Sequence, residues 1–170
     1  MRKKFLAGMA LLLLVGCATP GGLEEREKIY GKAAPVITQS FASKEMRLGE
    51  KWKVYLNASD PDGDMKTIIS AIDQKGEGTL TPSFTTIKED QQRRNLSGYI
   101  YLNTAGLHGL AYVTLVLTVQ IQDKAGHYSE PVSLPLALNP GSRQEDPPPG
   151  VFQDKDLGPI MITLISGMKG

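Results

Sequence analysis

Between residues 52 and 138 the apolar side chains fall on every second position, and this alternation constrains the fold more than any other feature. Trp52, Val54, Leu56 and Ala58 share one face, with Lys53, Tyr55 and Asn57 on the other. Leu96, Gly98, Ile100 and Leu102 repeat the pattern, and Val113, Leu115, Leu117, Val119 and Ile121 give its longest run. Val132, Leu134, Leu136 and Leu138 follow. A period of two with one apolar face marks a half-buried strand. Pro135 lies within the last run and has no amide to donate, which predicts an edge strand there. Residues 36–41, 68–72 and 80–87 supply three weaker strands. No stretch longer than about a dozen residues has helical periodicity. Seven strands over residues 35–139, separated by turns rich in the chain's 18 glycines and 11 prolines, predict a single all-β antiparallel sandwich. A small closed barrel is the alternative, and it accommodates the long middle connection less well.

The N-terminus decides compartment. Arg2, Lys3 and Lys4 precede an apolar run over 5–15. That run is shorter than the roughly 20 residues a spanning helix needs, and it fits the hydrophobic region of a secretory signal. Leu14-Val15-Gly16-Cys17 then resembles the bacterial lipobox. The resemblance implies that residues 1–16 are a signal peptide and that Cys17, once acylated with palmitate-type chains, is the first residue of a lipoprotein. It also implies a lipid-anchored protein of the cell envelope. Ala18, where an aspartate would favour inner-membrane retention, points to the outer membrane of a diderm cell. Two or more acyl chains give stable anchoring where one does not. The alternative is an ordinary secretory signal that ends near a thiol. Cys17 is the only cysteine, so no disulfide staples the fold.

Residues 17–34 read as the lipid-anchored tether. Within it, 23–32 (LEEREKIYGK) forms one or two helical turns or packs as part of the fold. Residues 139–150 (NPGSRQEDPPPG) read as an extended, disordered linker. They lead, within a C-terminal segment 140–170, to an apolar tip carrying Ile160, Met161, Ile162, Leu164 and Ile165. The tip is too short to be a second membrane anchor. It either docks on its own sandwich, adds a strand to a partner's sheet edge, or stays disordered.

Two stretches give the sandwich a kinship. Leu48-Gly49-Glu50 before Trp52, followed by 57–64 (NASDPDGD), resembles the B strand and B–C turn of bacterial immunoglobulin-like, cadherin-like or PKD-type domains. Residues 119–129 (VQIQDKAGHYS) resemble their final hairpin, with His127 in place of the usual asparagine. The resemblance implies an immunoglobulin-like sandwich over 35–139 and no particular activity. The Cys-Trp-Cys signature of antibody domains is absent.

Chemistry concentrates in one place. Asp60, Asp62 and Asp64 alternate around a turn, and three such carboxylates can converge on Ca²⁺, which takes six to eight oxygens at roughly 2.3–2.6 Å. An EF-hand is excluded, since Met65 stands where its glycine and Ala71 where its glutamate would be. If the B–C and F–G turns share one end of the sandwich, Asp123 joins the group as a fourth carboxylate. Asp-Pro-Asp-Gly is equally good turn chemistry without metal. Calcium is therefore an open cofactor, with the millimolar to sub-millimolar affinity of extracellular modules. His108 and His127 have no ligand spacing for zinc. No nucleophile elbow or zinc-protease motif exists, so no catalytic residue is assigned and the chain is read as not an enzyme. Tyr99 and Tyr101, with Tyr55 and Tyr112, offer a carbohydrate or protein contact surface, or simply cross-strand pairs. Arg2, Lys3 and Lys4 are three of the 19 basic residues; without them 16 face 18 acidic ones. A chain near −2 with no basic stripe excludes nucleic acid as a partner. The expected function is a non-enzymatic binding or assembly module for an envelope protein partner, acting through its sandwich and tail. A calcium-stabilised spacer is the alternative, and an envelope hydrolase a distant third.

Overall fold

The computed structural model describes residues 22–107 and 109–166. Cys17, the signal segment 1–16 and His108 lie outside the described residues. The described residues form a short helix, α1 (Leu23–Tyr30), and then ten strands. These are β1 (Val36–Ala42), β2 (Glu45–Met46), β3 (Lys51–Ser59), β4 (Met65–Gln74), β5 (Gly78–Thr79), β6 (Ser83–Thr86), β7 (Asn95–Asn103), β8 (Thr114–Asp123), β9 (Val132–Leu138) and β10 (Asp156–Pro159). One sheet runs β1-β3-β7-β10, the other β2-β9-β8-β4-β5, with β6 also paired to β4. This is an all-β sandwich. Its core contains Trp52, Val54 and Leu56 of β3, Ile68 and Ile72 of β4, Ile100 and Leu102 of β7, and Leu117, Val119 and Ile121 of β8. These are the residues that the period of two places on one face.

Three departures from the alternation have local causes. The expected strand over 80–87 is shortened to β6, because Pro82 just before it has no amide to extend the ladder, and the two-residue β5 precedes the expected stretch. Residues Glu45 and Met46 form a short parallel partner for Ala137 and Leu138. Among the described residues, β9 beside Pro135 pairs with β8 alone, so the proline stands at a sheet edge.

The third departure is the largest. The stretch expected as a disordered linker is pinned along its length. Ser142 Oγ donates to Glu45 (2.6 Å), Gln144 Nε2 to the Lys51 carbonyl (3.0 Å), and the Glu145 amide to Ser43 Oγ (3.0 Å). Phe152 packs on Tyr55 at 5.7 Å between ring centres, and Lys53 pairs with Asp154 at 2.7 Å. Strand β10 then runs parallel to β7, with Asp156 opposite Tyr99 and Pro159 opposite Tyr101. An immunoglobulin-like sandwich sets its D strand beside E. Here the chain's own C-terminal segment occupies the corresponding edge. Beyond it, Ile160 and Leu164, each 4% exposed, enter the core. The buried Gln74 clamps Ile165 through both backbone groups, at 2.6 and 3.0 Å.

Gly98 makes that seat. A Cβ there would lie 2.6 Å from the Lys155 carbonyl oxygen and 2.8 Å from Leu157 Cγ. Gly98→Ala is expected to push β10 off β7 and cost about 1–3 kcal/mol, the usual range for overpacking. Urea unfolding of the two proteins measures it, and equal midpoints would mean that the C-terminal segment yields without loss.

Candidate cation site at one end of the sandwich

The turns joining β3 to β4 and following β8 lie at one end of the sandwich. Register brings them together, since Met65 at the start of β4 pairs with Asp123 at the end of β8. Asp60 folds the first turn: its Oδ1 accepts the amides of Asp62 (2.9 Å) and Gly63 (3.3 Å). Gly63 has φ +76°, a conformation that glycine adopts without strain. The Arg94 guanidinium braces the same turn by donating to the carbonyls of Pro61 and Asp62. Asp64 Oδ2 reaches across to accept the Lys124 amide at 3.1 Å. Asp123 Oδ1 takes the amides of Gly126 (2.5 Å) and His127 (2.8 Å), and its Oδ2 faces His127 Nδ1 at 2.9 Å.

Asp60, Asp64 and Asp123 are 1%, 5% and 1% exposed, and one oxygen from each lies within 4.8 Å of the others. Asp60 Oδ2 and Asp64 Oδ1 are buried with no hydrogen-bond donor among the described residues. Ionised carboxylates only accept, so these two oxygens need a shared proton, a buried water or a cation between them. Burial holds the Asp60 carboxyl above its ordinary pKa; the Asp62 and Gly63 amides oppose this and the Asp64 charge adds to it. Oxygens bound to one Ca²⁺ at roughly 2.3–2.6 Å lie at most about 5 Å apart, so the cluster's spread fits that ion.

Of the four aspartates expected to converge, Asp62 stands apart. It occupies the middle of the turn, where the backbone turns its carboxylate outward, and Oδ2 accepts the Ala33 amide at 2.8 Å. His127 gains the carboxylates that its sequence neighbourhood concealed. Nε2 lies 3.1 Å from Glu27 Oε1 on α1, while Nδ1 faces Asp123. Glu27 first, and then Asp123, hold the imidazole above its ordinary pKa against the effect of burial. With both ring nitrogens engaged, His127 is a brace for Asp123 and not a spare metal ligand. The Asp123-x-x-x-His127 spacing within one hairpin was a signal for half of this contact; nothing in the sequence pointed to Glu27.

The tyrosine row is mostly covered. Tyr55 is 7% exposed beneath Phe152, and the Lys53 ammonium sits 4.1 Å from the Tyr99 ring centre. Lys51 lies 4.9 Å from that of Tyr101, and Tyr112 stands 77% exposed. Of the apolar tip, Ile160 and Leu164 are in the core, Ile162 is half-buried, and Met161 and Ile165 face outward. Neither a protein-family model, nor a curated protein, nor a solved structure matches this chain.

Proposed function

We propose that the chain is a non-enzymatic module of the cell envelope, tethered through acylated Cys17. Its sandwich holds a binding or assembly surface at a set distance from the membrane, and Ca²⁺ held by Asp60, Asp64 and Asp123 stabilises the end nearest the anchor. The observation that carries this reading is the buried three-carboxylate cluster with two oxygens lacking donors. Cys17 precedes Gly22 by five residues, a stretch that spans at most about 18 Å when fully extended. The cluster would therefore sit at the membrane-proximal end. Bound Ca²⁺ supplies the charge that three buried carboxylates lack. The protein's part is to fix their oxygens through the amides of Asp62, Gly63, Lys124, Gly126 and His127.

Thermal unfolding of the chain from residue 17, with Cys17→Ser, tests the reading in EDTA and in millimolar CaCl₂. Binding to the native state adds RT ln(1 + [L]/Kd), about 1.4 kcal/mol at ten times Kd, or a rise of about 3–8 °C. Asp64→Asn removes the rise, whereas Asp62→Asn retains it. Asp64→Asn also melts above the parent protein in EDTA, because one of two repelling carboxylates is gone. Equal melting of the parent protein in both solutions would sink the calcium reading.

A further inference from the structure

Helix α1 has no buried residue, and its eight residues fall below the roughly 12–15 at which an isolated helix is even marginal in water. Contacts to the sandwich must hold it, and those it makes land on the two turns that carry the aspartate cluster. Glu27 meets His127 at 3.1 Å, and His127 in turn bonds Asp123. The Arg26 guanidinium lies over Gly126, which bonds Asp123 Oδ1. The Lys124 ammonium stands 5.6 Å from the Tyr30 ring centre, and the Lys124 amide bonds Asp64. The Ala33 amide just beyond the helix donates to Asp62, whose own amide bonds Asp60. Every one of these partners is hydrogen-bonded to a member of the cluster.

We propose that Ca²⁺ in the cluster controls whether α1 is docked. Loaded, the ion draws the two turns together and sets His127, Gly126, Lys124 and Asp62 in the arrangement that α1 fits. Unloaded, like charges spread the turns, the four contacts lose their common geometry, and the helix detaches. The anchor then changes from a stiff mount into a slack leash, and the domain's height and orientation above the lipid are set by the local Ca²⁺ concentration. This inference rests on the calcium reading above.

The chain's single cysteine makes the test clean. With Cys17→Ser in place, spin labels at Ile29→Cys on α1 and Ser133→Cys on β9 report the distance from helix to sandwich. Both positions are exposed. Pulsed electron–electron resonance in millimolar CaCl₂ is expected to give one narrow distribution. EDTA broadens it at least about twofold, as for a segment hung on flexible chain, whereas Asp64→Asn, which relieves the repulsion, gives a width that Ca²⁺ does not change. Glu27→Ala broadens it in both solutions yet leaves the calcium-induced rise in melting temperature intact. A distribution equally narrow with and without Ca²⁺, alongside that rise, overturns the docking inference and leaves the cation site standing. A distribution that stays broad in CaCl₂ overturns it as well. Absence of the rise in the parent protein overturns both.

Discussion

A chain ending at Asn139 is expected to lose its cooperative unfolding transition at 25 °C, even though every strand recognisable from alternation is still present. The missing segment takes Ile160 and Leu164 out of the core, and Leu157 and Ile162 from its margin. Truncating a buried leucine or isoleucine to alanine costs about 2–5 kcal/mol, so losing two approaches the 5–15 kcal/mol that a whole domain possesses. Hydrogen bonds go with them, including Tyr99 N–H to the Lys155 carbonyl (2.8 Å) and Ile160 N–H to the Tyr101 carbonyl (2.7 Å). Gln74, 2% exposed, loses both of its partners on Ile165 and keeps a buried amide unsatisfied. The edge of β7 is bared as well, which invites association between chains. Fluorescence of Trp52, the only tryptophan and fully buried, follows the transition in urea. Ile160→Ala and Leu164→Ala alone should each cost about 2–5 kcal/mol while leaving a foldable chain. A truncated protein within about 1 kcal/mol of the intact one would mean that the C-terminal segment lies on the sandwich without supporting it.

Strands β3, β7, β8 and β9 were legible because each puts one face in the core and the other outward, and alternation follows from that geometry. Strand β10 was not. Asp156-Leu157-Gly158-Pro159 has no alternation, and its place depends on a parallel pairing with Tyr99, Ile100 and Tyr101, more than fifty residues earlier. Prolines 147–149 read as a signal for a free linker, yet prolines also stiffen a segment that must lie extended along a surface. The cluster was legible in part for a similar reason. Asp60 and Asp64 flank a turn that strand order brings to Asp123, and a resemblance to immunoglobulin-like hairpins supplies that order. Which carboxylate turns away is decided by the turn's backbone, which aims Asp62 at Ala33. The docking of α1 left no apolar stripe in its own sequence to choose between free helical turns and packing on the fold, because polar residues make its contacts to the sandwich.

Trp52→Ala is expected to destabilise the protein by about 3–5 kcal/mol, as for large aromatic truncations in a core. Trp52 is fully buried on β3, the strand paired on both sides by β1 and β7. Its indole N–H donates to the Ser43 carbonyl at 2.8 Å, which ties the core to the loop between β1 and β2. Trp52→Phe separates the two contributions. It keeps much of the apolar volume but leaves the Ser43 carbonyl without this donor, at a cost of about 1–3 kcal/mol. Circular dichroism during urea unfolding measures both variants, since the fluorescent reporter is gone. The loss in Trp52→Ala should also couple to the C-terminal segment. Ser43 Oγ accepts the Glu145 amide at 3.0 Å, so the residue that Trp52 holds in place also receives the strap. Trp52→Ala combined with Leu164→Ala should therefore depart from the sum of the two by about 0.5 kcal/mol or more, as residues in one connected network do. Strict additivity would show that the strap is seated by β7 and Gln74 alone, with the Ser43 loop making no energetic link between core and tail.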